Sequence, residues 1–473
     1  MYHGCVTQPL QLELDRSART PLAEQIRKGI SAAILSGVFA PGARLPSWLD
    51  LAAQLGVARG TVRSAYEKLS AAQLIVASRA TGTRVADRPL ITVRHERPPD
   101  PGSFMEMYQE LVAGPAIFQM GVPAQETFPA KLIARIRSRA VRAESGTRAK
   151  YPDPRGELEL RRELAAYLAI ARGIECSPSQ INITAGYSGG LGLALRVLGL
   201  EGRKAWMENP GFPLTRRGLE LARLSLASVP VDADGIDVDY GLHHAPDAAL
   251  VVVTPGQQAP LGSTLSLARR LRLLDWAAQE GVWVIEDDYL SELQLKGRAT
   301  PALASLDRTG RVIHIGSFSK TISPTLRLGF LVAPLPLASR FTEVAACLAP
   351  PPGPSVQLAI AEFLREGHYM RHLRRTKRVY AAQRDALIKH LRPRAQDVAI
   401  AGLAALLPLP DGALDQAIAG EMLAFGLAPA PLSLWYASPA SARSGLLLGI
   451  ATAPQQHLAR SCDRLFGIID RFR

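Results

Sequence analysis

Residues 312–332 restrict the possible folds of this chain more than any other segment. An apolar run from Val312 to Ile315 leads into a Gly-Ser-Phe-Ser turn and a single lysine, Lys320. Arg327 follows seven residues later and directly precedes a second apolar run at 328–332. Continuous apolar runs next to turn residues are typical of strands buried on both faces of a sheet. The segment therefore predicts a strand–turn–strand unit that carries one amine and one guanidinium.

Similar apolar runs alternate with helical patterns through residues 117–473. They are INITAG (181–186), KAWMENP (204–210), AALVVVTP (248–255) and GVWVIEDDY (281–289). Strands that alternate with helices predict an α/β fold with a mostly parallel, doubly wound sheet. In such sheets ligands bind beyond the carboxyl ends of the strands. Four polar side chains follow the predicted strands there: Ser188, Asp287, Tyr289 and Lys320.

These side chains offer a complementary set of chemical groups. Lys320 could form an imine with an aldehyde. Asp287 could hold a protonated ring nitrogen, and Tyr289 could donate a hydrogen bond to a ring oxygen. Ser317 and the forked guanidinium of Arg327 could bind a phosphate, together with backbone N–H groups at the helix start TAGYSGGLG. An aldehyde, a ring nitrogen, a ring oxygen and a phosphate together describe pyridoxal 5′-phosphate (PLP).

Phe212, in ENPGFP, adds a flat face that could stack on a ring. Each residue by itself has an ordinary alternative. A lysine after a strand usually lies on the surface, Asp287 and Asp288 could cap a helix, and Phe212 could belong to the core. The ordered series of residues is more specific than any one of them.

The N-terminal part, residues 12–86, predicts a separate helical domain. The amphipathic segment TPLAEQIRKGISAAILSG would be a helix capped by Thr20. A second helix begins in SWLDLAAQLG, with Ser47 as its cap and Asp50 in the capping-box position. A three-residue turn, 56–58, leads into a third helix. Two helices joined by a short turn that contains glycine predict a helix-turn-helix.

The third helix begins with small and basic residues, which a recognition helix needs in order to approach bases and phosphates. The next segment, LIVASRATGTRVA, has two β-prone runs around Arg79, Thr81 and Gly82 and predicts a wing. From residue 59 to 84, five basic residues oppose one acidic residue, Glu67. A charge pattern alone would also fit a solvated helix face. The turn, the caps and the wing together favour DNA binding.

The segments PLAEQIRKGISAAILSGVFAPGARLPS, LAAQLGVARGTVRSAYEKL and GTRV resemble the winged helix-turn-helix of GntR-type bacterial regulators. The resemblance implies double-stranded operator DNA as a partner. It implies DNA contacts by Ser47, Arg59, Thr61, Arg63 and Gly82. The family usually has a DNA-contacting arginine where this chain has Leu49, which predicts an altered or weaker half-site preference.

Residues 87–116 predict an extended connector to the C-terminal domain. The segment DRPLITVRHERPPDPGS is rich in proline and charge and has no periodicity. Pro98, Pro99 and Pro101 would stiffen it. The expected organisation is thus a DNA-binding domain at 12–86, a connector, and a PLP-binding domain at 117–473.

The C-terminal domain resembles fold-type I aminotransferases in YPDPRGELEL, INITAGYSGGLGLAL, ENPGF, VTPGQQAPLG, VIEDDY and SFSKTISPTLRLGFLVAP. A winged helix followed by a connector and such a domain is similar to the MocR/GabR subfamily of GntR-type regulators. This resemblance implies a small C-terminal α/β subdomain. It implies Lys320 as the Schiff-base lysine, Asp287 at the pyridine nitrogen and Tyr289 at the ring oxygen. The other cofactor contacts that it implies are Tyr187, Ser188, Phe212, Ser317 and Arg327.

Two segments depart from the related domains. Gly256 and Gln257 stand where the subfamily often has a serine followed by a histidine, so that any polar contact there is changed. Leu447, in SGLLLGIATA, stands where an arginine often clamps the substrate carboxylate, and Arg443 could substitute for that arginine. A missing clamp argues against ordinary α-amino-acid transamination, because positioning the substrate supplies much of catalysis.

Composition restricts the class of protein further. The formal net charge of +13 favours a polyanionic partner. No window of about 18 apolar residues predicts a membrane span, and the N-terminus does not have the pattern of a secretory signal. The four cysteines are scattered, which argues against a zinc site or disulfide framework and suits a cytoplasmic protein.

Three functions compete. We predict a homodimeric transcription regulator, not an enzyme, that senses PLP or an amine or amino-acid effector. The alternative is a catalytically active PLP-dependent aminotransferase with an accessory DNA-binding head. A third possibility is a regulator that has lost PLP and uses the domain only to dimerise.

The basic run RHLRRTKR at residues 371–378 has two interpretations. It could be an additional DNA-binding surface, or it could be an ordinary solvated helix face.

Overall fold

The computed structural model describes residues 12, 14–78, 82–87, 108, 116–146, 148, 150–295, 300–453 and 455–472. The chain divides into two units, Met1–Gly102 and Ser103–Arg473. The predicted connector prolines, Pro98, Pro99 and Pro101, lie outside the described residues, as do Arg79 and Thr81 of the predicted wing.

The described residues of the first unit form three helices and a two-stranded antiparallel sheet. Its elements are α1 (Leu22–Leu35), α2 (Trp48–Leu55), α3 (Arg59–Ala71), β1 (Ile75–Ser78) and β2 (Gly82–Val85). Apolar residues at helical spacing, such as Ile26, Ile30 and Ile34, are buried on one face of α1. They pack with Val62 and Leu69 of α3 in one core. The helix-turn-helix and the paired strands of the wing are both present.

Of the two N-caps that the sequence predicts in this unit, one forms and one does not. The Ser47 hydroxyl accepts a hydrogen bond from the Asp50 amide at 3.1 Å, and α2 ends at Gly56, whose φ is +62°. The prediction that Thr20 caps the first helix is wrong. Pro21 holds the N-cap position instead, without a side-chain cap. The Gln25 side-chain amide donates to the Thr20 carbonyl, so that Thr20 contacts the helix through its backbone oxygen.

The second unit is built on an eight-stranded sheet with the order β3-β10-β9-β8-β7-β4-β5-β6. The strands are β3 (Ile181–Thr184), β4 (Lys204–Asn209), β5 (Ser225–Asp232), β6 (Gly235–Ile236), β7 (Leu250–Val253), β8 (Trp283–Asp288), β9 (Val312–Ser317) and β10 (Gly329–Val332). The run β9-β8-β7-β4-β5 is parallel, whereas β10 is antiparallel to both its neighbours and β6 to β5. The predicted α/β fold with a mostly parallel sheet is confirmed.

Helices cover this sheet and connect its strands. They are α4 (Ala130–Ser145), α5 (Leu158–Arg172), α6 (Gly186–Leu198), α7 (Pro213–Leu221), α8 (Val238–His244), α9 (Leu267–Glu280), α10 (Ala338–Leu348), α11 (Pro354–Arg365) and α12 (His368–Leu391). The central strands are buried on both faces, and for this reason their sequences are continuously apolar.

A smaller four-stranded antiparallel sheet follows, with the order β11-β12-β14-β13. Its elements are β11 (Ala399–Ala401), β12 (Ala404–Pro408), α13 (Asp415–Leu423), β13 (Ala430–Pro431), β14 (Gly445–Gly449) and α14 (Leu458–Ile469). No helix within the described ranges is long and apolar enough to cross a membrane.

Candidate functional site

The register of three neighbouring strands brings distant residues to one edge of the large sheet. Gly329, at the start of β10, pairs with Ser317 on β9 and with Thr184 on β3. On the next strand, Asp287 pairs with Ile315 of β9. The ends of β3, β8 and β9 therefore lie side by side, as expected for a ligand site in a sheet of this type.

The loop after β3 forms the first part of the site. Helix α6 begins at Gly186, whose φ is +72°, and no side chain caps its N-terminus. Ser188 is exposed in its first turn. The exposed Arg327 has a φ of +46° and donates from a guanidinium nitrogen to the Ala185 carbonyl at 3.4 Å. A guanidinium beside free helical N–H groups is an arrangement that binds phosphate.

Two further features lie beside Arg327 and the start of α6. We call this group of hydrogen-bond donors, together with Ser317, the phosphate cradle. Ser317 donates from its hydroxyl to the Ser319 hydroxyl at 3.0 Å. Gly329 has no room for a side chain, because a Cβ would lie 3.0 Å from the Gly186 Cα. The chain at Gly329 therefore lies directly against the start of α6. Ser188, Ser317 and Arg327 thus lie at one edge of the sheet, and their contact with a phosphate stays a prediction.

Lys320 lies in the turn between β9 and β10. Its Nζ donates to the Gly121 carbonyl at 2.6 Å. Burial lowers the pKa of Lys320 to about 8, and the charge of Asp287 opposes this effect. A lysine with this pKa is partly neutral near physiological pH, and only the neutral amine is nucleophilic.

Sequence reasoning missed Gly121, which shapes the space around this amine. The φ of Gly121 is +78°, and a Cβ there would lie 2.6 Å from Lys320 Nζ. The only signal in the sequence is a single glycine in QMGVP, far from the lysine along the chain.

Asp287 is 7 % exposed at the end of β8. Burial, followed by the negative charges of Asp288 and Glu208, raises its pKa well above the ordinary value, and Lys320 opposes the rise. A protonated ring nitrogen would supply the missing positive charge. Tyr187, whose hydroxyl lies 3.0 Å from the Thr215 hydroxyl, is close enough to Asp287 that the negative charge of Asp287 raises the pKa of Tyr187 in addition to burial.

Glu208 is a second buried carboxyl that sequence reasoning missed. It accepts hydrogen bonds from the Thr254 hydroxyl at 2.6 Å and from the Gln258 side chain at 3.2 Å. Gln258 also donates to the Pro210 carbonyl at 2.8 Å. Burial raises the pKa of Glu208 to about 7. These bonds tie the loop before Phe212 to the loop after β7.

An apolar wall borders the site on the side of the smaller sheet. We define it as Met120, Phe212, Tyr289, Trp435 and Leu447, which belong to one hydrophobic cluster. The rings of Phe212 and Trp435 lie 5.7 Å apart at an angle of 38°. Burial raises the pKa of Tyr289 far above its ordinary value, so that its hydroxyl remains a hydrogen-bond donor.

The positions that depart from related domains differ in burial and polarity. Leu447 is fully buried in β14, between Leu406 and Ala430. Arg443 is exposed in the loop before β14, and its charge acts on Tyr436. Gln257 is buried, and its side-chain oxygen lacks a hydrogen-bond partner in the part of the chain that the structure describes.

The residues present fit PLP. The cradle offers N–H, hydroxyl and guanidinium donors to a phosphate, and Asp287 offers a buried carboxylate to a ring nitrogen. Lys320 offers an amine with a lowered pKa to an aldehyde.

The first unit presents a second candidate site. Arg59, Thr61 and Arg63 lie in the first turns of α3, with both arginines exposed. Arg63 donates to Glu67 at 2.9 Å, one turn further on. Gly82, with a φ of +77°, begins the second strand of the wing.

Arg44 was not among the predicted contacts. Its guanidinium lies about 3.4 Å from where a Cβ of Gly82 would be, next to the wing. Ser47 is exposed, although its hydroxyl also caps α2. The exposed apolar side chains of Trp48 and Leu49 follow it at the start of that helix.

Comparisons with known proteins agree with both parts. Residues 22–85 match the family of bacterial regulatory proteins of the gntR type, and residues 118–424 match aminotransferase class I and II. The probable rhizopine catabolism regulatory protein MocR of Rhizobium meliloti is 34 % identical over 398 residues, which cover 82 % of this chain and 80 % of that protein. The chain belongs to the MocR/GabR subfamily of GntR-type transcription regulators.

Another relative of this regulator is the HTH-type transcriptional regulator TauR of Rhodobacter capsulatus. It is 35 % identical over 405 residues, which cover 80 % of this chain and 81 % of TauR. The second unit also resembles a solved enzyme, the α-aminoadipate aminotransferase LysN of Thermus thermophilus, complexed with N-(5′-phosphopyridoxyl)-L-leucine. The TM-score is 0.69 at 27 % identity, and the match covers 77 % of this chain and 94 % of that one. This MocR/GabR-type protein is thus a transcription regulator with a fold-type I aminotransferase domain.

The basic run at 371–378 lies on α12 of the regulator. Arg371, Arg374, Arg375 and Arg378 are exposed, whereas His372 and Thr376 are buried. The run is therefore an amphipathic helix face, and its role in DNA binding stays a prediction.

Proposed function

We propose that this regulator binds PLP at Lys320 and senses a small amine effector at the same place. One observation carries the proposal. A lysine with its pKa lowered to about 8, a buried carboxyl and a phosphate cradle meet at the edge formed by β3, β8, β9 and β10.

Each side chain has a specific task in this proposal. Arg327, Ser317 and the N–H groups at the start of α6 hold the phosphate, with Ser188 in the first turn of that helix. Asp287 accepts a hydrogen bond from the protonated ring nitrogen, and Tyr187 lies beside its carboxylate. Tyr289 donates to the ring oxygen, and Phe212 covers the ring. When bound, PLP supplies an aldehyde carbon for which an amine effector competes with Lys320.

DNA binding provides the output. Arg59, Thr61, Arg63, Gly82 and Ser47 contact the operator in our proposal. A homodimer would present two such heads to paired half-sites. The effector changes operator affinity only through its different affinities for the two states of the protein.

The test is reconstitution with PLP followed by borohydride reduction and mass spectrometry. We expect a yellow protein and a pyridoxyl adduct on the peptide that contains Lys320. Lys320→Ala should lose both, because it removes the amine. The matched control is Lys204→Ala, at the opposite end of a strand in the same sheet, which should keep both. An adduct that persists in Lys320→Ala would refute the assignment.

Sustained turnover of an amino donor with a keto acid would favour the alternative function, a working aminotransferase. Its supporting observation is the 27 % identity to LysN over most of the second unit.

A further inference from the structure

The apolar wall approaches the amine of Lys320 through one short backbone segment. Lys320 Nζ donates to the Gly121 carbonyl, and the neighbouring Met120 packs in the cluster that contains Phe212, Tyr289 and Leu447. The backbone group that holds Nζ is therefore one residue away from this wall.

Strand β14 fixes that segment in place. The Gly449 amide donates to the Phe118 carbonyl at 2.8 Å, and the Thr452 hydroxyl donates to the Gln119 carbonyl at 2.8 Å. A Cβ at Gly449 would lie 2.1 Å from the Gln119 carbonyl oxygen. Leu447 lies two residues before Gly449 on the same strand. Strand β14 therefore joins the wall to the segment beside Lys320.

The wall carries no positive charge. Among the described residues, one guanidinium group donates to a carbonyl of the wall, and another lies at its rim. Arg216 donates from one nitrogen to the carbonyls of Gly211 and Trp435, which ties down the loop beside Phe212. Arg443 is exposed to solvent at the rim, near Tyr436.

The surroundings also disfavour a negative charge. Burial raises the pKa of Tyr289, and it raises the pKa of Tyr436 although the charge of Arg443 opposes the rise, so the anionic form of each is destabilised. A carboxylate placed against the wall would lose its hydration without gaining a cationic partner.

We infer that the effector is a primary amine with an apolar substituent and with no carboxylate on the carbon that bears the amine. The inference rests on the proposed function of Lys320 and adds the chemical class of the effector. Leu447 is the specificity-determining residue, because an uncharged side chain fills this fully buried place in the cluster and provides no cation for a carboxylate.

The experiment compares pairs of compounds that differ only by a carboxylate: isoamylamine with leucine, and phenethylamine with phenylalanine. PLP-loaded protein is titrated with each compound, and both the absorbance spectrum and the melting temperature are recorded. The half-saturating concentration from absorbance is divided by the value for free PLP in solution, which removes differences in intrinsic amine reactivity. We expect the half-saturating concentration of each amine to be at least about tenfold lower than that of its amino acid.

Two variants test the wall itself. Leu447→Arg should move the preference toward the amino acids, and the apolar control Leu447→Met should keep the preference for the amines. Should Leu447→Arg not fold, the comparison of the paired compounds on the wild-type protein decides alone.

The outcomes separate this inference from the proposed function. A preference for leucine over isoamylamine overturns the inference and leaves PLP binding at Lys320 intact. If Arg443→Gln then abolishes that preference, the carboxylate is held at the rim. A PLP-loaded protein that responds to none of the four compounds overturns the inference and the sensing role together.

Discussion

At the scale of single residues, the reactive lysine is controlled by groups that lie far from it in the sequence. Gly121 accepts its hydrogen bond, and Asp287 is the nearby charge that acts on it. The two residues can be tested separately. A side chain at position 121 would crowd the amine, whereas a change at position 287 alters the charge that acts on it.

Gly121→Ala should impair PLP capture by roughly tenfold or more, because the new Cβ would lie 2.6 Å from Nζ and displace the amine. Gly412→Ala is the matched control. The φ values are +78° and +80°, but a Cβ at Gly412 meets nothing within 4 Å. Both variants bear a similar backbone strain, on the order of 1–2 kcal/mol. The measurement is the rate at which visible absorbance develops after PLP is added. Equal rates in the two variants would show that the lysine does not need this space.

The rate of PLP capture should depend on pH with a midpoint set by Lys320. Its pKa is lowered from 10.5 to about 8, so the reactive neutral amine becomes the major form as the pH rises through about 8. The charge of Asp287 raises this pKa, so Asp287→Asn should move the midpoint to lower pH. It should also weaken retention of PLP, because the ring nitrogen loses its partner. A midpoint that stays near 10.5 would contradict the burial of the amine.

At the scale of secondary-structure elements, the helix ends determine what each unit can bind. Helix α6 starts at a glycine without a side-chain cap, which leaves its first N–H groups available for a ligand. Helix α2 starts at Ser47, whose hydroxyl already satisfies one of these groups. The start of α3 has no side-chain cap and carries Arg59 in its first turn.

Arg59→Ala should weaken operator binding by roughly tenfold and reduce the slope of affinity against salt by about one, because one phosphate contact is lost. The control is Lys28→Ala, an exposed residue on α1 with the same change of charge. Fluorescence anisotropy at several salt concentrations measures both quantities. Identical slopes for the two variants would remove Arg59 from the set of DNA contacts.

At the scale of the whole molecule, sequence pattern predicted the order of functions along the chain. The helix-turn-helix has a short-range signature, and the buried parallel strands are continuous apolar runs, so both could be read from neighbouring residues. Fold class, the winged helix and the positions of Lys320 and Asp287 at strand ends follow from such local patterns. The prediction of Thr20 as N-cap was wrong. The choice between two adjacent N-cap positions depends on which backbone groups find hydrogen-bond partners in the folded chain.

The rest of the site could not be predicted in this way. Gly121, Glu208 and Trp435 have no local signature, since their roles arise from contacts with residues at least 46 positions away in the chain. The replacement of an arginine by Leu447 was visible in the sequence, but its burial in a continuous apolar wall was not.

The sequence by itself determined which elements form and which chemical groups stand at their ends, because hydrophobic periodicity and turn residues act over short distances. Only the tertiary structure decided which of these ends meet, because strand register joins β3, β10, β9 and β8 at one edge and β14 holds the segment before Gly121. The pKa of Lys320 and the apolar wall beside it are consequences of that meeting, since burial and neighbouring charge exist only once distant parts of the chain are packed together.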